Sequence, residues 1–164
     1  MALRPDRDIL ADDISFFMNS TASRGGVVSY VGTASSGAAM DQSQATVGYV
    51  ANPSGVTPVG ILMTDVVNLD LTRQHSNWYK EEVQVGGKVR VARKCTVVTD
   101  FVLTGHSPSP GTRAWVGPSG YIATSDVATD AVAANANKRV IGVWDTGKDQ
   151  DGFAKVTVNL PNFT

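Results

Sequence analysis

The sequence predicts a mainly β domain preceded by an extended N-terminal arm, with the division near residue 24: arm 1–24, β-rich domain 25–164. Three observations carry this. Short runs rich in Val, Ile, Thr and aromatic residues follow one another at close intervals, and Gly-rich or Pro-rich turns separate them. Charged residues make up only 18% of the chain, below the usual quarter, which favours strands and turns over solvent-facing helices. At 164 residues the chain fits one domain, and a domain of that size buries about 70% of the surface its unfolded form exposes.

Taken in order, the arm alternates charges at Arg4, Asp6, Arg7, Asp8, Asp12 and Asp13 before an apolar patch at Ile14, Phe16, Phe17 and Met18. Ile9, Leu10, Ile14 and Phe17 could form one face of a short helix, kept brief by Pro5 and by Asn19-Ser20-Thr21. The arm reads as a segment that packs across the domain or docks on a neighbour. Strand signals then come at Val27–Val31 and Ala45–Val50. A third run, Val59–Met63, is almost continuously apolar and fits a strand buried on both faces. From Val66 to Glu82 the chain turns polar and irregular, a connection long enough to suggest contact formation. Trp78 and Tyr79 lie inside it, either as interface anchors or as a cap on the open end of the core.

After Gly86-Gly87 a long β run carries Val89, Val91, Cys95, Val97 and Val98, and alternation along it puts Arg90 and Lys94 on one face. Gly105–Gly111, with Pro108 and Pro110, reads as a stiff loop. Two hairpins follow: Ala114–Val116 with Tyr121–Ala123 across Gly117–Gly120, and Arg139–Asp145 with Ala154–Leu160 across Thr146–Gly152. Between them, Ser125–Asn137 is one helical turn or an extended excursion. Gly60 and Gly142 sit in similar apolar runs, and a strand glycine marks close backbone approach, so these two strands are candidates for neighbours at a tight barrel corner.

The formal charge of −1 supplies no global basic field, which argues against nucleic acid and anionic membrane as partners. The N-terminus lacks the apolar stretch of a signal peptide, and no run approaches the ~20 residues of a membrane span, so the product is expected to start as a soluble cytosolic protein. Cys95 is the single cysteine and reads as a packed strand thiol.

Chemistry-bearing motifs are sparse. His75 and His106 lack metal-ligand spacing, and no Gly-x-Ser-x-Gly or P-loop pattern occurs. Asp145, Asp149 and Asp151-Gly152 resemble part of a calcium loop, but the twelve-residue pattern fails at both ends, and a polar turn is the better reading. The expectation is therefore a non-enzyme with no catalytic, metal or cofactor-binding residues.

From Pro58 to Asn162 the chain resembles the head decoration, or capsid cement, proteins of tailed bacteriophages. The likeness rests on Pro58-Val59-Gly60-Ile61-Leu62, Thr72–Glu81, Val85-Gly86-Gly87-Lys88-Val89, the Pro110-Gly111-Thr112 to Gly120-Tyr121-Ile122 hairpin, Val140-Ile141-Gly142-Val143, Asp149–Gly152 and Val156–Leu160. The resemblance implies a small β-barrel or β-tulip domain, a homotrimer on the outside of the virion capsid, assembled in the host cytoplasm. There it would bind and bridge major capsid protein subunits. The competing expectation is a trimeric tail-fibre or receptor-binding β domain, against which the lack of a long repeat counts. Ile14, Phe16, Phe17, Trp78 and Tyr79 are the candidate partner-binding residues, chosen as large side chains in segments read as non-strand.

Overall fold

The computed structural model describes residues 3–4, 13–33, 45–68, 81–128 and 133–161. The protein is mainly β. Five strands close a small barrel: β2 (Asp13–Phe17), β3 (Val27–Thr33), β4 (Ala45–Gly48), β5 (Pro58–Leu62) and β8 (Lys88–Ala92), in the order β2-β4-β3-β5-β8. Closure comes from β8 pairing antiparallel with β2, Asp13 opposite Ala92 through Phe17 opposite Lys88, and from a parallel contact of Phe17 with Thr46.

A second, six-stranded sheet packs beside it. It comprises β1 (Leu3–Arg4), β9 (Lys94–Thr99), β13 (Ala154–Asn159), β12 (Val140–Trp144), β10 (Arg113–Val116) and β11 (Ile122–Ala123), in that spatial order. Its spine is the β9–β13 ladder, six consecutive antiparallel pairs from Lys94 opposite Asn159 to Thr99 opposite Ala154. A third element is a two-stranded parallel ribbon of β6 (Asp65–Val67) and β7 (Glu82–Gln84). Parallel pairing cannot be closed by a tight hairpin, which accounts for a long connection in the sequence between them.

The run from Lys88 to Thr99 is not one strand. It breaks at Arg93, where the chain leaves the barrel as β8 and enters the sheet as β9. The Arg93 carbonyl accepts a 2.9 Å bond from the Leu160 N–H, which holds the corner against the end of β13. The expectation that Arg90 and Lys94 share one strand face is thereby corrected: both are exposed, but on different sheets.

Two cores result. One fills the barrel with Phe16, Met18, Val28, Val47, Val59, Leu62, Val66, Val89 and Val91. The other lies between barrel and sheet, built on Trp144, Ile141, Ile122, Val116, Val156, Val158, Leu160 and Cys95, and joined by Val27, Ile61, Met63 and Ala92 from the barrel side. Strand β5 is buried along its whole length because it feeds both cores, as its continuous apolar run predicts. Cys95 is 3% exposed and packs in the shared core as expected.

Gly60 and Gly142 do mark close approaches. A Cβ on Gly60 would stand 2.4 Å from the Ala92 carbonyl oxygen, and one on Gly142 would stand 1.9 Å from that of Thr157. Their strands are not neighbours, however, since β5 belongs to the barrel and β12 to the sheet. Both predicted hairpins form: β10 pairs with β11, and β12 with β13. The stretch between the two hairpins contains a short helix, α1 (Ala133–Lys138). Just after it, Arg139 is 1% exposed and makes a two-pronged ion pair with Asp126, Nε to Oδ1 at 3.0 Å and Nη2 to Oδ2 at 2.5 Å.

Candidate functional site

Of the sequence-predicted contact residues, Phe16 and Phe17 are the two whose side chains the structure describes. Phe16 and Phe17 lie in β2, a barrel strand rather than a non-strand arm, and are only 7% and 9% exposed. This corrects their reading as available anchors. The cause is the β2–β8 ladder, which draws the segment into the barrel wall. There Phe16 packs edge-on to Tyr30 at 5.7 Å, and the Lys88 ammonium stands 5.8 Å from the Phe17 ring. Ile14 pairs across the same ladder with Val91. Trp78 and Tyr79 lie outside the described residues, as does His75.

Other residues singled out by chemistry hold loops in place. His106 Nδ1 accepts the Thr124 N–H at 3.1 Å and lies 2.9 Å from the Thr124 hydroxyl, which staples the proline-rich loop to β11. The Asp149 carboxylate accepts the N–H groups of Asp151 at 3.0 Å and Phe153 at 2.8 Å, closing the β12–β13 turn, while Asp145 accepts the Thr157 hydroxyl at 2.6 Å. Among the described residues, no group of three or more His, Cys, Asp or Glu side chains is placed to hold a metal ion.

The strongest candidate site is an open cleft of about 750 Å³ where barrel, ribbon and sheet meet. Thr21–Arg24 forms one wall, Asp65–Val67 and Glu82 of the ribbon another, and Asp100 and Phe101 just after β9 with Tyr121 just before β11 the third. Each wall is held by hydrogen bonds. Ala22 and Val66 exchange backbone bonds at 3.0 and 2.8 Å. The Arg24 N–H donates to Asp65 Oδ1 at 2.7 Å, and its Nη1 donates to Glu81 Oε2 at 2.6 Å. On the sheet side the buried Thr99 hydroxyl donates to the Gly25 carbonyl at 2.9 Å and accepts the Phe101 N–H at 3.1 Å. The Ile122 N–H then donates to the Phe101 carbonyl at 2.8 Å.

An aromatic row backs the cleft. Tyr49 lies 5.6 Å from Phe101, and Phe101 lies 5.3 Å from Tyr121, at ring angles of 51° and 40°. Gly120, at φ +81°, lets the Pro118–Gly120 turn sit directly on the Tyr49 ring; a Cβ there would be 2.5 Å from a ring carbon. The Tyr49 hydroxyl donates to the Ser23 carbonyl at 2.5 Å and accepts the Gly26 N–H at 3.1 Å. Loss of solvent pushes this phenol well above its ordinary range, and the negative charges of Asp65 and Asp100 push it the same way. Tyr121 stands at the lip, 38% exposed.

The cleft thus brings together an aromatic face, acidic residues and a fixed backbone frame. Sequence reasoning missed Asp100 and Phe101 because they directly follow a long β run and carry no chemical motif of their own. Tyr121 read as an ordinary hairpin strand residue. The only local signal was the glycine-bounded turn Gly117–Gly120, whose geometry leaves Tyr121 outside the ladder. The sequence matches no protein-family model, and no curated protein is significantly similar to it.

Proposed function

We infer that the protein is a structural virion component that binds the outer surface of a tailed-phage capsid, as a homotrimer, and cements its major capsid protein subunits. The observation that carries this reading is a body made of two cores that share strands. The barrel and the sheet are joined at Arg93 with no intervening linker, and β3, β5 and β8 contribute to both interiors. A clamp across capsid subunits needs such a body, because any slack between its parts would waste binding free energy on ordering them. The functional groups that sequence singled out, His106, Asp145 and Asp149, hold the fold together, which suits a scaffold. The resemblance from Pro58 to Asn162 supplies the capsid as partner.

The test is the copy number of the chain in virions of the phage that encodes it, counted by quantitative mass spectrometry against the major capsid protein. A stoichiometry comparable to that of the capsid protein supports cementing. A handful of copies, or density confined to the tail in a cryo-EM map, would replace it with the tail-fibre reading, and absence from the particle would end both.

A further inference from the structure

The cleft has more recognition chemistry than a structural seam needs. Three carboxylates line it, those of Asp65, Glu82 and Asp100, against the single guanidinium of Arg24. Arg24 and Asp65 are committed to each other and to the frame, with Arg24 also bound to Glu81. Glu82 and Asp100 are different: among the described residues, no hydrogen bond or ion pair engages either carboxylate. The half-exposed ring of Tyr121, stacked on Phe101, lines the same cleft, and Asp100 is exposed beside it. The Tyr49 phenol registers the negative field at the back of the cleft.

We propose that this cleft receives a basic loop of a protein partner, one that presents an arginine side chain between the Tyr121 ring and the carboxylates of Glu82 and Asp100. A guanidinium satisfies all three features together, because its plane stacks on an aromatic face while its N–H fork meets carboxylates. A volume of about 750 Å³ accommodates the side chain and flanking backbone, and falls in the usual range for a ligand pocket. Lysine would keep the charge but lose the stacking plane and the fork. A neutral sugar could stack on Tyr121 but would leave the acidic field unanswered. The inference stands apart from the capsid reading, since the cleft would select a basic loop on any protein surface.

The test uses the full chain and a blocked tripeptide, acetyl-Gly-Arg-Gly-amide, beside its citrulline counterpart, which has nearly the same shape without the charge. Binding is followed by NMR at low salt. The arginine peptide is expected to give saturable shifts at Phe101, Tyr121 and Glu82, to weaken with added salt, and to bind at least fivefold more tightly than the citrulline peptide. The double variant Glu82→Gln, Asp100→Asn should lose about fivefold in affinity, and Tyr121→Leu should lose affinity for the arginine peptide more than for a lysine one. Both variants alter side chains outside the cores, so an unchanged melting temperature checks the fold. Equal binding of the two peptides, absence of shifts at these residues, or saturation by maltose in place of the arginine peptide would each overturn the proposal.

Discussion

Arg139 brings a guanidinium into a nearly solvent-free position, where the Asp126 carboxylate meets it with an ion pair. The bond from Arg139 holds the Asp126 carboxyl below its ordinary range, aided by the Ala128 N–H. A carboxyl depressed in the folded state contributes stability that is complete above the ordinary carboxylate range and is lost as pH falls through the folded-state value. Asp126→Asn should therefore destabilise by about 3 kcal/mol at neutral pH, because it removes the carboxylate charge that both prongs of the buried guanidinium engage. That corresponds to about 6–12 °C in Tm for a chain of this size. The gap to the parent should narrow as pH falls into the acid range, and urea titrations at a series of pH values would show it. Ser29 is the converse case. Its side chain is fully buried and its hydroxyl has no partner among the described residues, so Ser29→Ala should raise stability by about 1 kcal/mol. The readout is a higher urea midpoint at unchanged slope. Gly142→Ala forces a methyl group into the Thr157 carbonyl, which belongs to the neighbouring strand and cannot swing away. A loss of about 3 kcal/mol or more is expected in the same titration.

Among the strands, β2 changes the meaning of the N-terminal segment. Removing residues 1–12 spares it, whereas removing 1–20 deletes a stave of a closed barrel and the ladder it makes with β8. The shorter deletion should leave a cooperative thermal transition, and the longer one should abolish it or lower it steeply, as circular dichroism would report. Sequence made β5 and the two hairpins legible because their signals are local: an unbroken apolar run in Pro58–Leu62, and glycine-containing turns at Gly117–Gly120 and before Ala154. It could not show the break at Arg93, since Lys88–Thr99 is uniformly strand-like and only the identity of the pairing partners separates its halves. Strand β2 was hidden by the alternating charges before it and by consecutive phenylalanines that fit no single period. The β6–β7 pairing joins residues far apart in sequence, as does the meeting of Tyr49, Phe101 and Tyr121. The candidate cleft is a product of topology, and no window of sequence contains it.

For the whole molecule, the distribution of the cores argues that barrel and sheet stand or fall together. Val27, Ile61 and Ala92 belong to barrel strands but are buried against the sheet, so unfolding either part exposes the shared interior. A single calorimetric transition is expected, with matching calorimetric and van't Hoff enthalpies. The thiol of Cys95 offers an independent readout from inside that interior. Its reaction with a disulfide reagent should be slow in the native protein and should follow the same denaturant midpoint as the loss of circular dichroism.

The corner at Arg93 also has a mechanical consequence. One covalent strand leaves the barrel, turns through a single residue and becomes a strand of the sheet paired on both sides, pinned there by the Leu160 N–H. A pull applied across the molecule would load hydrogen-bonded ladders on both sides of that residue in shear, with no slack segment to take up the extension first. The protein should behave under tension as a short strut, yielding abruptly and in one step.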